Sequence, residues 1–357
     1  MTTLRDCPYG CCAVGAAPIR APRHRLEERI VMETDVRIGA RCSAKARVAA
    51  CTPLCREHVE IELVVEAFPA SEPGQFLQLL CADDRAREVL THEYADDGFP
   101  SVADADFCDR QPFLRRPFSI ADRWSAPEGE VHLCVISRTV GPGTRWLAQL
   151  AAGATVDVTG PLGRGFRIPA PHLPLVLVGG GVGIPPLLYL ARRLDELGHR
   201  DVTMILGATT RALLSLRLSD EPNREGKPTA CVRLRGRGTY PALVTSDDGT
   251  IGLRGLVTDG LRAYQRGRDA GATPPEVCAC GPNGMLRAIA DLTRELGLPC
   301  QLCIERNMGC GIGTCLSCVV RARDEARREG WRWALACTDG PVFARDELLD
   351  FGRTTSA

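Results

Sequence analysis

The chain has 357 residues, 44 basic and 44 acidic side chains and a formal net charge of zero, so it has no bulk attraction to nucleic acid or an anionic membrane. Its length suits two or three domains, and no run of about 18 apolar residues is present to span a bilayer. The N-terminus lacks the apolar stretch of a signal peptide, so the chain is expected to be cytoplasmic, with its 18 cysteines serving as reduced thiols and ligands rather than disulfides.

Residues 1–44 carry charge, Pro and Ala without periodicity and read as a flexible extension. Cys7, Cys11 and Cys12 in CPYGCC are either a metal site or incidental thiols there. From 45 to 168, short apolar runs alternate with turn signals. HVEIELVV (58–65), GQFLQLLC (74–81), VHLCVIS (131–137) and TVDVTG (155–160) predict strands of a small antiparallel β-barrel. A polar, acidic loop at 83–113 interrupts it and is longer than usual connections. The segment LRRPFSI (114–120) offers a cation at Arg116, a fixed φ at Pro117, an aromatic ring at Phe118 and a hydroxyl at Ser119. Arg116 suits a phosphate and Ser119 a ring edge, although charged and apolar residues also alternate on ordinary barrel strands. GPGTRWL (141–147) is a glycine turn whose N–H groups and Thr144 hydroxyl suit a second phosphate edge, or simply a turn before a helix.

From 172 to 299 the pattern becomes strand–helix–strand. LPLVLVGGG is a buried strand running into glycines, IPPLLYLARRLDELG an amphipathic helix ended by Gly198, and DVTMILGAT the next strand. Such a unit predicts a parallel sheet with a nucleotide site at the strand C-termini. In GGGVGIPP (179–186), Gly181-Val182-Gly183 begins a dinucleotide fingerprint, but Pro186 stands where its third glycine belongs. A proline there suits a first helical turn, whose N–H groups would receive a pyrophosphate. EVCACGPNGMLRAIADLTREL (276–296) repeats the strand, glycine turn and helix. In TSDDGT, Asp247 and Asp248 follow a predicted strand where a carboxylate would accept from an adenosine ribose hydroxyl and repel a 2′-phosphate, favouring NADH over NADPH.

Residues 300–357 hold NMGCGIGTCLSC (307–318), where Cys310, Cys315 and Cys318 follow a C-x4-C-x2-C pattern, with Cys337 in ACTDGPVF. That is the plant-type [2Fe–2S] spacing. Structural zinc sites more often pair two short knuckles; zinc and unrelated thiols are the alternatives. Gly309, Gly311 and Gly313 allow the tight turns that aim backbone N–H groups at sulfur. The apolar Met308, Ile312 and Leu316 either pack inside the domain or contribute to a docking patch.

Taken together, RPFS, the G-x-G-T turn, GGGxGxxP and CGPxxM resemble the ferredoxin-reductase-type flavoproteins. The resemblance covers about 45–350. It implies an α+β multidomain chain: an FAD-binding β-barrel, an α/β nucleotide domain and a small cluster segment. LRRPFSI, GPGTRWL, GPLGRGF, TSDDGTIGLRGLVTDGL, CACGPNGML, ERNMGCGIGTCLSC and CTDGPVF are together similar to the electron-transfer subunits of type B dihydroorotate dehydrogenases. This implies FAD on Arg116 to Ser119, on Ile136, Ser137 and Arg138, and on Gly143 and Thr144. It implies NAD(H) at Gly180, Gly181, Gly183, Cys280, Gly281 and Met285, and the cluster on Cys310, Cys315, Cys318 and Cys337. Cys280 either positions the nicotinamide or is a small buried apolar residue. Phe118 departs from the family's usual aliphatic residue, as do the long 83–113 loop and the N-terminal extension. The implied activity is an oxidoreductase relay between NAD(H), FAD and the cluster, with no acid–base residue. The substrate site would lie on an FMN-containing catalytic partner, in a heterotetramer of two plus two acting in pyrimidine biosynthesis. A related reading is the subunit of NADH-dependent ferredoxin–NADP reductase or sulfide dehydrogenase, which often has Asp at the place of Cys310 and lacks the cysteine of C-G-P.

Overall fold

The computed structural model describes residues 40–82, 114–127, 129–236 and 238–351. The Cys7, Cys11 and Cys12 group and the 83–113 loop lie outside the described residues.

The first layer is an antiparallel sheet curled into a half-barrel. Its strands are β1 (Cys42–Cys55), β2 (His58–Val65), β3 (Phe76–Leu79), β4 (Arg116–Ser119), β5 (Asp122–Ser125), β6 (Val131–Arg138) and, after helix α1 (Pro142–Ala148), β7 (Thr155–Leu162). They lie in the order β4-β3-β7-β1-β2-β6-β5. The four strands read from alternation are present: β2 has the bounds read, β3 is two residues shorter at each end, and β6 and β7 run one and two residues longer. β1 is long and carries register shifts at Val48/Ala50 and Pro53/Cys55, the irregularities that let one strand bend between two neighbours. Every second residue faces inward: Ala46 and Val48, Ile61 and Leu63, Leu77 and Leu79, Leu133 and Val135, Val156 and Val158 form one buried core.

The second layer is a mixed sheet. Its elements are β8 (Leu175–Gly180), α2 (Ile184–Glu196), β9 (Val202–Ala208), β10 (Thr229–Arg233), β11 (Thr239–Ser246), β12 (Leu253–Arg254), α3 (Val257–Arg266), β13 (Glu276–Cys280), α4 (Asn283–Glu295) and β14 (Cys300–Cys303). After a hairpin of β15 (Val319–Arg323) and β16 (Trp331–Leu335), β17 (Val342–Ala344) closes the order β10-β11-β9-β8-β13-β14-β17. The five central strands run parallel, and β10 and β17 cap the edges antiparallel. Both faces are covered, which is why β8 reads as continuous apolar residues. Val176 and Val178 join the core on one face, and Leu175 and Leu177 the core on the other. Burying a leucine such as Leu177 contributes about 1.5–3 kcal/mol.

The strands on either side of the cysteine loop belong to this sheet: β14 is parallel to β13, and β17 is antiparallel to β14. The half-barrel also touches this end, where the Arg164 N–H donates to the Gly340 carbonyl at 2.6 Å.

Candidate functional site

The chain order reverses between β8 and β13, which are adjacent though far apart in sequence. A crevice forms at such a switch point, beyond the strand C-termini. There the structure gathers Gly180, Gly183, Cys280, Gly281 and Met285. A Cβ on Gly183 would lie 2.2 Å from the Cys280 carbonyl oxygen, so only glycine lets this loop pass the end of β13. Met285 packs over two more glycines: a Cβ on Gly180 would meet its Sδ at 2.6 Å, and one on Gly281 its Cε at 2.5 Å. Gly181 has φ +54° with open space where a side chain would project. The α2 N-terminus follows at once, with prolines in its first turn. Bare glycine backbone leading into a helix N-terminus fits a pyrophosphate. Asn283 opens α4 in the same region, and its buried Oδ1 has no protein partner.

Asp248 stands apart, on the exposed turn after β11. Its Oδ1 accepts from the Thr250 N–H at 3.0 Å and the Thr250 hydroxyl at 2.7 Å. Those bonds hold its carboxyl below the usual range.

On the half-barrel, β4 carries Arg116, Pro117, Phe118 and Ser119 antiparallel to β3, with Ser119 opposite Phe76 and Pro117 opposite Gln78. Arg116 is exposed, and the half-buried Phe118 packs against the barrel core. At the end of β6, Ile136 and Ser137 are buried, and the Ser137 Oγ has no partner. Arg138 pairs with Glu57 through its Nε at 3.1 Å and a terminal nitrogen at 2.9 Å. The Thr144 hydroxyl accepts from the Val140 and Gly141 N–H groups, both at 2.9 Å, and donates to the Gly141 carbonyl. It therefore shapes the turn before α1 and leaves Gly143 buried against the barrel. The orphaned Ser137 hydroxyl and the exposed guanidinium of Arg116 fit a polar, phosphate-bearing cofactor.

The cysteine loop brings its four thiols together in two pairs. The Cys310 Sγ accepts the N–H groups of Ile312 and Cys315, both at 3.4 Å. Cys318 and Cys337 are hydrogen-bonded neighbours, and Gly313 directs its N–H at the Cys337 sulfur. Gly311 and Gly313 have φ +73° and +92°, and Leu316, without a glycine's freedom, has +59°. A Cβ on Gly309 would meet the Cys315 Sγ at 3.2 Å. Hydrogen bonds from the Ser317 hydroxyl, at 3.2 Å, and from backbone N–H groups hold the exposed Cys315 thiol down to about 6. Burial and the adjoining Cys318 push Cys337 up to about 12. Among the described residues, no three His, Cys, Asp or Glu side chains converge on one metal-ion position. Two pairs of thiolates, each furnished with N–H donors, fit a binuclear cluster with two sulfur ligands per iron. Of the apolar loop residues, Ile312 and Leu316 are exposed, at 48% and 59%, and Met308 packs on the core.

A cleft of about 670 Å³ separates the half-barrel from the nucleotide sheet, and of the residues assigned to FAD it touches Ile136 alone. Its guanidiniums are largely neutralised: Arg235 pairs with Glu60 and Glu62, Arg217 with Glu60, and Arg192 with Asp122 and Glu196. Burial raises the Asp122 carboxyl, against the opposing pull of Arg192. The cleft is thus an ion-paired seam between two layers.

The sequence family described as the iron-sulfur cluster binding domain of dihydroorotate dehydrogenase B matches residues 305–349. The chain is 36% identical over 282 residues to the dihydroorotate dehydrogenase B (NAD(+)) electron transfer subunit of Bacillus velezensis, spanning 78% of this chain and 87% of that protein. It is 32% identical over 301 residues to the protein of the same name from Shouchella clausii, spanning 84% and 95%. Among solved structures it is similar to one of an NADH-dependent reduced ferredoxin-NADP oxidoreductase, with TM-score 0.61, 24% identity and coverage of 85% and 89%. This last is a likeness of fold. The chain belongs to the family of dihydroorotate dehydrogenase B electron transfer subunits.

Proposed function

We propose that this chain carries electrons between NAD(H) and an FMN-containing dihydroorotate dehydrogenase catalytic subunit in pyrimidine biosynthesis. It would bind FAD on the half-barrel (45–168), NAD(H) on the nucleotide sheet (172–299) and one [2Fe–2S] cluster within 300–357. The cluster ligands are Cys310, Cys315, Cys318 and Cys337. The observation that carries the reading is the placement of their loop: Gly311 abuts β3 of the half-barrel, while the loop's ends run into β14 and β17 of the sheet. When bound, the flavin and the cluster supply the conversion between two-electron hydride transfer and single-electron transfer.

The protein's own groups bind and orient. Arg116 and the turn at Gly143 and Thr144 position phosphates, while Ser119 and the unpaired Ser137 hydroxyl offer hydrogen bonds. Gly180, Gly181 and Gly183 let a pyrophosphate approach the N-terminus of α2, and Cys280, Gly281 and Met285 wall the nicotinamide side. The Asp248 carboxylate would accept from a ribose hydroxyl and repel a 2′-phosphate, so NADH should reduce the flavin faster than NADPH. Equal stopped-flow rates with the two would remove that role. Ile312 and Leu316 flank the cluster with exposed apolar surface suited to a partner. The assembly is two plus two, in the cytoplasm; no helix among the described residues is long and apolar enough to cross a membrane.

Purified alone, the chain should reduce artificial dyes with NADH and leave orotate untouched. Mixed with an FMN-containing dihydroorotate dehydrogenase chain from the same source, it should link orotate reduction to NADH. Orotate turnover by this chain alone would overturn the subunit reading. Coupling to NADP and ferredoxin instead would reassign it to the ferredoxin–NADP reductase type.

A further inference from the structure

We infer that the Gln78 carboxamide donates a hydrogen bond to a sulfur of the [2Fe–2S] cluster beside Cys310 and thereby sets the cluster's reduction potential. The inference rests on the cluster reading above and adds a residue from a different layer of the molecule.

Gln78 lies on β3 between Leu77 and Leu79, which point into the barrel core. Its own side chain therefore leaves on the opposite face. That face is shared with Phe76, which packs in the same core as Cys318 and Cys337. Gln78 is 0% exposed, and neither its Nε2 nor its Oε1 has a hydrogen-bond partner. A buried primary amide with both ends unsatisfied is rare, because each lost bond to water goes uncompensated.

The neighbouring strands do not satisfy it. Pro117, directly opposite on β4, has no N–H to offer. Thr159, opposite on β7, has its hydroxyl bonded to Ser43. What the amide does meet is the cysteine loop. A Cβ on Gly311 would lie 2.6 Å from the Gln78 Nε2 and 2.8 Å from its Cγ, so the glycine makes room for this side chain. Gly311 sits between the ligand Cys310 and Ile312, whose N–H already points at the Cys310 sulfur. The Gln78 NH2 group thus extends the same set of N–H donors from outside the loop, toward sulfur that becomes more negative on reduction. Donors of this kind stabilise the reduced cluster and raise its potential.

The test uses the full chain with its cofactors bound. Wild-type protein labelled with amide-15N glutamine should show, in pulsed EPR of the reduced cluster, a weak nitrogen coupling that Gln78→Leu lacks. In redox titrations followed by EPR, Gln78→Leu should shift the one-electron distribution about tenfold from cluster toward flavin, a fall of about 59 mV. A wild-type cluster signal without the glutamine coupling overturns the inference, and so does an unchanged potential in Gln78→Leu. If that variant loses its cluster or its fold, the wild-type spectrum decides alone. Absence of any reduced-cluster signal in the wild type would instead sink the cluster reading itself.

Discussion

Cys278, Cys280, Cys300 and Cys303 lie on the adjacent strands β13 and β14, with Cys280 opposite Cys303, while Cys310, Cys315, Cys318 and Cys337 gather just beyond. In the sheet group every thiol is buried in one of the two cores that flank the sheet. Burial pushes Cys300 up to about 12 and raises Cys278, and Cys280 is raised by its hydrogen bond with Cys303 and by burial. These are small hydrophobes that happen to contain sulfur. In the loop group the backbone turns toward the sulfurs. Cys310 receives two N–H groups, Cys315 is held down to about 6, and even Cys337 receives the N–H of Gly313. The same residue type serves packing or ligation according to where backbone N–H groups point.

The harshest test of that contrast removes one thiol from each group. Cys315→Ala should abolish the reduced-cluster EPR signal while flavin stays bound, and Cys300→Ala should keep its full iron content. Unchanged iron in Cys315→Ala would erase the distinction.

A second test reads reactivity in the iron-free chain. Thiolate is the nucleophile, so Cys315 should alkylate at least about a hundredfold faster at neutral pH than Cys278 or Cys300. Its rate should fall as pH drops through about 6, where the thiolate takes up its proton. Peptide mapping by mass spectrometry would check both points, and equal labelling of the two groups would contradict them.

A third sharpens what the sheet cysteines border. Gly183→Ala forces a methyl against the Cys280 carbonyl and should cost about 1–3 kcal/mol through displaced backbone. Slower flavin reduction by NADH and a lower unfolding midpoint would register it. The smallest effect is expected at Cys280→Ala, which removes a single buried sulfur at about 1 kcal/mol and should leave the rate of flavin reduction by NADH nearly unchanged. A large loss there would make Cys280 a nicotinamide-positioning residue.

Much of this arrangement was readable in the chain. The strands at 58–65 and 131–137 showed themselves by alternation, and β8 by its unbroken apolar run before glycines. β1 did not, because its inward residues include Ala46 and the strand contains Pro53 and two cations, Lys45 and Arg47. β14 and β17 are too short to carry a period, so their membership of the nucleotide sheet appears only in the pairing. At the site, spacing alone singled out the cysteines. Gln78 went unmarked; its one signal was a lone polar residue inside FLQLL, and its meaning depends on a loop more than two hundred positions away. Asn283 was equally silent until α4 placed it at a helix start.

The hydrogen bonds between β14 and β17 bear on how this molecule could be taken apart. Residues 304–341 are an insert whose two ends are held side by side by one antiparallel pair. Ending the chain before Val342 would strip β14 of its neighbour and leave a parallel sheet with an open edge, the kind of surface on which chains stick to one another. Anyone wishing to transplant the iron-binding portion, or to exchange it for another, should therefore cut within the strand pair, at 303 and 342, and leave the sheet whole.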